Sequence, residues 1–227
     1  MPKLRPWLFA RPYSTAGPEA TKIRLRAVLR ETAQPVAVVT SLMSHDASAA
    51  SQGTRNEPVY HGATLSSFTS IAMDPTPLVT FALRIPSRMA SALNSAPLDS
   101  SSDLVINILS ARQASIATKF SRPDLYPHPF TTTPYFLNAE GLPVIQGSLG
   151  AIACKLVSKG VPLHDLEFLR SRHTNKSPVA EVPEIGTVSE LFIAQVLRVE
   201  EGNSQEHHDM PLLYHRRRFT TCTPEEP

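Results

Sequence analysis

The stretch His61-Gly-Ala-Thr-Leu-Ser-Ser-Phe-Thr-Ser-Ile-Ala-Met-Asp-Pro-Thr-Pro-Leu78 decides how the rest of the chain is read. It places Thr64, Ser66, Ser67, Thr69 and Ser70 within seven residues. Hydroxyls packed this densely at a strand end can hydrogen-bond a polar ligand without adding charge. Asp74-Pro75 and Pro77 then turn the chain, and Leu78 starts a new strand. From Leu78 to Arg84 the pattern alternates, with Val79, Phe81 and Leu83 on one face. Pro86 and Ser87 follow, Ser87 being placed to cap a short helix that turns Met89 and Leu93 inward.

Outward from this stretch the chain reads as many short strands with a few helices. Upstream, residues 20–32 read as a helix whose Leu25, Val28, Leu29 and Thr32 form one buried stripe. Pro35 ends it, and Val36-Ala-Val-Val-Thr40 reads as a buried strand. Residues 43–58, rich in Ser, Ala and Asn, read as a loop. Downstream, residues 103–109 read as a strand, and Ser110-Ala-Arg-Gln113 is a capping box opening a helix to about Phe120. Residues 121–137, with their prolines, read as irregular surface chain, and residues 142–157 as a hairpin turning at Gly147 to Gly150. Residues 191–199 form a long strand with apolar residues on both faces, between polar loops at 170–184 and 200–209. The expected fold is mainly β with peripheral helices, an antiparallel barrel.

Composition excludes several classes. The chain has 227 residues, 41% hydrophobic and 19% charged, enough for one well-buried domain. A net charge of +2 and a lone basic run at Arg216-Arg217-Arg218 give no case for nucleic acid. No apolar run is long enough for a membrane span. Nine glycines build neither a dinucleotide fingerprint nor a P-loop. Cys154 and Cys222 lie far apart and match no zinc spacing; Cys154 reads as a buried thiol. His207-His208-Asp209 lacks the spacing of a metal site. Residues 1–18 carry Lys3, Arg5 and Arg11 and no acid, the profile of a mitochondrial presequence cut after Tyr13, or of a disordered basic tail. Matrix localisation is the expectation, with the cytoplasm as the alternative.

The order of motifs resembles the flavin reductase-like family of FMN-binding split β-barrels. The matching pieces are Pro35-Val-Ala-Val-Val-Thr40, Gly62 to Ser70, Leu78 to Arg88, Val105-Ile-Asn-Ile-Leu109, the helix ending at Phe120-Ser121, Gly141 to Gly150, and Pro211 to Arg218. The domain so delimited spans residues 20–219, followed by a polar tail at 220–227.

The resemblance implies an FMN site. Arg84, Ser87 and Arg88 would hold the phosphate, helped by a helix N-terminus. Thr64, Ser66 and Ser67 would address the polar edge of the ring and the ribityl chain, and Pro35 and Leu65 its apolar surface. His61, Tyr214 and His215 would sit near the substrate. The resemblance further implies NADH or NADPH as hydride donor, a homodimer, and a possible flavin-dependent monooxygenase partner. One departure stands out. Many relatives carry an Asp-His pair before the long late strand, where this chain reads Val188-Ser-Glu190. Two alternatives to a flavin reductase stand: a non-catalytic FMN-binding or assembly protein, which this departure motivates, or a flavoprotein acting on an unknown small substrate.

Overall fold

The computed structural model describes residues 17–43, 59–96, 101–170, 188–201 and 209–223. Helix α1 (Pro18–Arg30) leads into β1 (Gln34–Pro35) and β2 (Ala37–Leu42). After β3 (Tyr60–Leu65), β4 (Thr69–Ala72) and β5 (Leu78–Ile85) comes helix α2 (Arg88–Ser95). Next are β6 (Leu104–Ile108), a 3-10 turn at Ala111–Gln113, α3 (Ala114–Ser121), β7 (Tyr135–Leu137), β8 (Pro143–Ile145) and β9 (Gly150–Leu156). The described chain ends with β10 (Val161–Pro162), α4 (Leu166–Arg170), β11 (Val188–Glu201), β12 (Leu213–His215) and β13 (Arg218–Thr220).

One sheet carries the fold. Its order is β3-β2-β6-β9-β11-β5-β4, all antiparallel, with β10 added to β11. The sheet curls on itself. Leu65 from β3 shares one core with Val79, Phe81 and Leu83 from the far side of the sheet order, and with Ile106 and Phe192 between them. Phe81 and Phe192 stack with centroids 5.5 Å apart. The alternation read at Leu78 to Arg84 holds, since Val79, Phe81 and Leu83 are all buried. Helix α2 caps this core with Met89 and Leu93, and Ser87 accepts the Ala90 N–H at 3.1 Å as its N-cap.

A second core lies on the outer side of β2. Val36 and Val38 pack there with Ala117 and Phe120 of α3, Leu109, Ile145 and Leu212. Strand β2 is thus buried on both faces, as its unbroken Val-Ala-Val-Val run anticipates. Gly62 makes the α3 contact possible. A Cβ there would lie 2.7 Å from the Phe120 ring and 3.2 Å from the Val39 carbonyl oxygen.

Buried Asn107 ties three strands. Its amide N donates to the Val38 carbonyl at 3.1 Å and to Thr40 Oγ1 at 3.2 Å, and its Oδ1 accepts the Ile145 N–H at 2.8 Å. Thr40 Oγ1 in turn donates to the Pro143 carbonyl at 2.6 Å. These bonds hold β8 against β2 and β6, and they explain one difference from the sequence reading. The expected hairpin of residues 142–157 does not form. Strand β8 pairs with β7, while β9 pairs with β6 and β11. The Gly147 turn carries the chain from one layer to the other, with the Leu149 N–H on the Ile108 carbonyl.

Two further expectations are corrected. Helix α1 buries none of its residues; Leu25 is 55%, Val28 65% and Leu29 47% exposed. Periodicity marks an apolar stripe but cannot say that this chain supplies its cover. Residues 121–137 are not all surface. Phe130 packs edge-on against Phe120, Tyr60 and Tyr135, with centroids 5.0–5.9 Å apart. The loop readings at 43–58, 170–184 and 200–209 fall mostly outside the described residues; at their ends Arg170 closes α4, and Glu200 and Glu201 extend β11.

Replacing Asn107 with Leu leaves the buried Ile145 N–H without an acceptor. The expected cost is about 1–3 kcal/mol, read as a lower midpoint in denaturant. An unchanged midpoint would mean that these bonds do not hold the strands together.

Candidate functional site

Strand β5 outruns its edge partner. Strand β4 pairs with β5 only over Leu78, Val79 and Thr80. Beyond that, Ser67 takes over: its hydroxyl donates to the Ala82 carbonyl at 3.2 Å and accepts the Ala82 N–H at 2.9 Å. By the strand's two-residue alternation, the N–H and C=O of Arg84 face the same edge, one step past the last partner. A cleft of about 840 Å³ opens there, within the range of about 300–1,000 Å³ usual for small-molecule sites.

Four pieces of chain supply most of the cleft wall. Strand β3 and its extension supply residues 61–67, β5 supplies Ala82 to Arg84, α2 supplies its first turn, and the chain after α3 supplies Pro123, Tyr126 and Pro127. The positive end is built by Arg84, Arg88 and the start of α2. Neither arginine is paired with a carboxylate among the described residues. In α2 the Ala90 N–H is taken by Ser87 Oγ and the Ser91 N–H by the Ser87 carbonyl. The N–H groups of Arg88 and Met89 have no acceptor within the helix and lie at the cleft. Two guanidiniums and two free N–H groups at a helix N-terminus fit a phosphate dianion.

His61 lies beside this end. Its Nε2 is 2.9 Å from Met43 Sδ. Burial, and then the Arg88 charge, push its pKa below the ordinary histidine value, so the ring is neutral at pH 7. At the opposite lip, Asp124 is held by Arg122 at 2.9 and 3.0 Å, which keeps its carboxyl below its usual value. Lys119 Nζ donates to the Thr132 carbonyl at 3.1 Å and to Thr132 Oγ1 at 3.0 Å.

The cleft gathers eight of the eleven residues expected at the site: His61, Thr64, Leu65, Ser66, Ser67, Arg84, Ser87 and Arg88. Their roles differ from the expected ones in three cases. The Leu65 side chain is buried in the main core, so only its backbone can face a ligand. Thr64 Oγ1 donates to the Ala117 carbonyl at 2.7 Å and fastens α3. The Ser67 hydroxyl closes the β5 edge as described. Ser66 is exposed at the cleft.

Pro35, Tyr214 and His215 lie outside the lining. Pro35 pairs with Leu213, and Tyr214 packs on Phe219 in the small β1-β12-β13 sheet. Sequence reading missed Tyr126, Lys119, Asp124 and Ser189, all of which line the cleft. Only Ser189 had a signal, as part of the unusual Val188-Ser-Glu190. Ser189 stands opposite Arg84 in the β5–β11 register. Glu190 is held by the Asn94 amide at 2.8 Å, whose Oδ1 accepts the Gly160 N–H at 2.9 Å.

The site and the fold have relatives. The profile of the flavin reductase like domain matches residues 29–223. The chain belongs to the flavin reductase-like family. It is 28% identical over 147 residues to an NADH-dependent flavin reductase of a Rhodococcus species, spanning 63% of this chain and 72% of that protein. It is 29% identical over 126 residues to the FMN reductase (NADH) SmoA of Agrobacterium fabrum, spanning 52% of this chain and 65% of SmoA. The fold superposes on the flavin reductase of styrene monooxygenase from Pseudomonas putida S12 with a TM-score of 0.60 at 23% identity, covering 88% of this chain and 98% of that one. Membership makes the protein an oxidoreductase of flavin reductase type. The split barrel expected from the order of motifs is the fold observed.

If Arg88 takes a flavin phosphate, Arg88→Ala weakens FMN more than riboflavin, which lacks that group. A charge-assisted hydrogen bond contributes about 1.5–3 kcal/mol, or about ten- to a hundredfold in affinity. Titration with both flavins by fluorescence quenching reads the difference. Equal losses would move the phosphate elsewhere.

Proposed function

We propose that the protein transfers hydride from NADH to FMN held in the cleft between β5, α2 and the chain after α3. The observation that carries this reading is the pair of guanidiniums, Arg84 and Arg88, that have no carboxylate partner among the described residues, beside the N–H groups at the start of α2. A phosphate seated there would lead the rest of the flavin along Ser66, Ala82 and Leu83. Tyr126 and Pro127 would offer apolar surface across the cleft.

The chemistry supplied by a bound flavin is two-electron uptake from a nicotinamide, which needs alignment of two rings more than a protein acid or base. This chain's share is to bind, orient and exclude water. The neutral His61 ring adds no charge of its own at pH 7. Ser189, at the place of the relatives' Asp-His pair, lines the cleft, while Glu190 is held in the Asn94 network.

Mixing the purified protein with FMN and NADH and following the NADH absorbance band tests the reading. Steady oxidation that depends on flavin supports it. A yellow protein that leaves NADH untouched would support the non-catalytic binder instead, the reading favoured by Val188-Ser-Glu190. Running the same assay with NADPH decides the donor.

Three further parts belong to this proposal. Reduced flavin leaves the protein for a flavin-dependent monooxygenase. In support, a structural neighbour is the reductase component of a styrene monooxygenase. The protein is a homodimer, because the β4 edge of the open sheet carries Ile71, 49% exposed, and is followed by Met73, 71% exposed. Light scattering would read twice the chain mass; the mass of a single chain would sink the dimer. The mature protein resides in the mitochondrial matrix and starts after Tyr13, since residues 1–18 are basic and free of acids. N-terminal sequencing of protein from its native cell reads the start, and an intact Met1 or Pro2 would contradict it.

A further inference from the structure

Helix α1 combines three observations that the flavin site does not use. The first is its exposure: none of its thirteen residues is buried. An isolated helix of this length is marginal in water, so an uncovered apolar stripe asks for a surface to lie on.

The second is the placement of charge around that stripe. At about 100° per residue, Leu25, Val28 and Leu29 fall within an arc of about 100°. Lys22 and Arg26 border the arc on one side and Arg24 on the other. Basic side chains at both rims of an apolar stripe can reach anionic groups while the stripe is buried at an interface.

The third is the β12–β13 hairpin. Its two-residue turn is Arg216-Arg217, at φ 47° and 65°, where Asn-Gly is the usual choice. Arg216 ion-pairs with Glu31 just past the end of α1, and its N–H donates to the Arg30 carbonyl at 3.2 Å. This fastens the hairpin to the last turn of α1 and leaves Arg217 and Arg218 exposed beside it. The helix and the turn together carry seven basic groups. They face two acids, Glu19 and Glu31, each already ion-paired within the patch.

We propose that α1 and the Arg216–Arg218 turn dock the protein on an anionic phospholipid surface, with Leu25, Val28 and Leu29 entering the headgroup layer. Charge complementarity favours lipid over a second copy laid helix to helix. Pairing α1 with α1 would bring two sets of like-charged rims together. The dock is peripheral, since no described helix is long and apolar enough to cross a membrane.

Flotation of the full chain with vesicles tests the proposal. One set is phosphatidylcholine alone, the other phosphatidylcholine mixed with phosphatidylglycerol. Binding is expected only to the anionic set, and it should weaken as salt rises. The triple change Leu25→Glu, Val28→Glu, Leu29→Glu should lower the partition by about tenfold or more. Arg217→Ser with Arg218→Ser should lower it as well. Thermal melting of both variants should match the parent, because none of these side chains is buried in the barrel. Three results would overturn the proposal: no binding to anionic vesicles, equal binding to both sets, or anionic binding unchanged by the triple variant. A triple variant that halves the mass by light scattering, with no vesicle binding by the parent, would assign the helix to a second copy instead.

Discussion

The site depends on a mismatch in strand length. Strand β5 runs on to Ile85, while β4 stops pairing with it at Thr80. If β4 continued, its backbone would fill the place of the cleft and the barrel wall would be unbroken. Instead the Ser67 side chain satisfies Ala82, and the next edge groups, those of Arg84, are left for a ligand. The same strand delivers the chain through Pro86 to Ser87, so the start of α2 points into the gap that the short β4 leaves. One local deficit thus supplies both the room and the donors.

Electrostatics follow from that geometry. Arg84 ends the strand and Arg88 starts the helix, and no acid is within reach of either among the described residues. The acids near the cleft are committed: Asp124 to Arg122, and Glu190 to Asn94. Two exposed guanidiniums with no carboxylate partner among the described residues are suited to a dianion. The ring nitrogen of His61, already neutral, does not add to the repulsion.

Legibility in the sequence tracked the range of the interaction. Alternation at Leu78 to Arg84, the Ser87 cap and the Ser110–Gln113 capping box depend on near neighbours, and all three stand in the structure. The order of motifs groups Arg84, Ser87 and Arg88, and all three line the cleft. What failed depends on distant partners. The turn at Gly147 looks like a hairpin, but Asn107, about forty residues away, draws β8 to another layer. The hydroxyls of Thr64 and Ser67 read as ligand groups because nothing local shows that Ala117 and Ala82 need them. Tyr126 lies in a proline-rich run with no periodicity, so its place at the cleft was invisible.

The most direct test is a crystal structure of the protein with FMN bound. The account predicts the phosphate within hydrogen-bonding distance of Arg84, Ser87 and Arg88, and the flavin lying along Ser66 and Ala82 toward Tyr126. A phosphate bound by other residues, with Arg84 and Arg88 left in solvent, would contradict it.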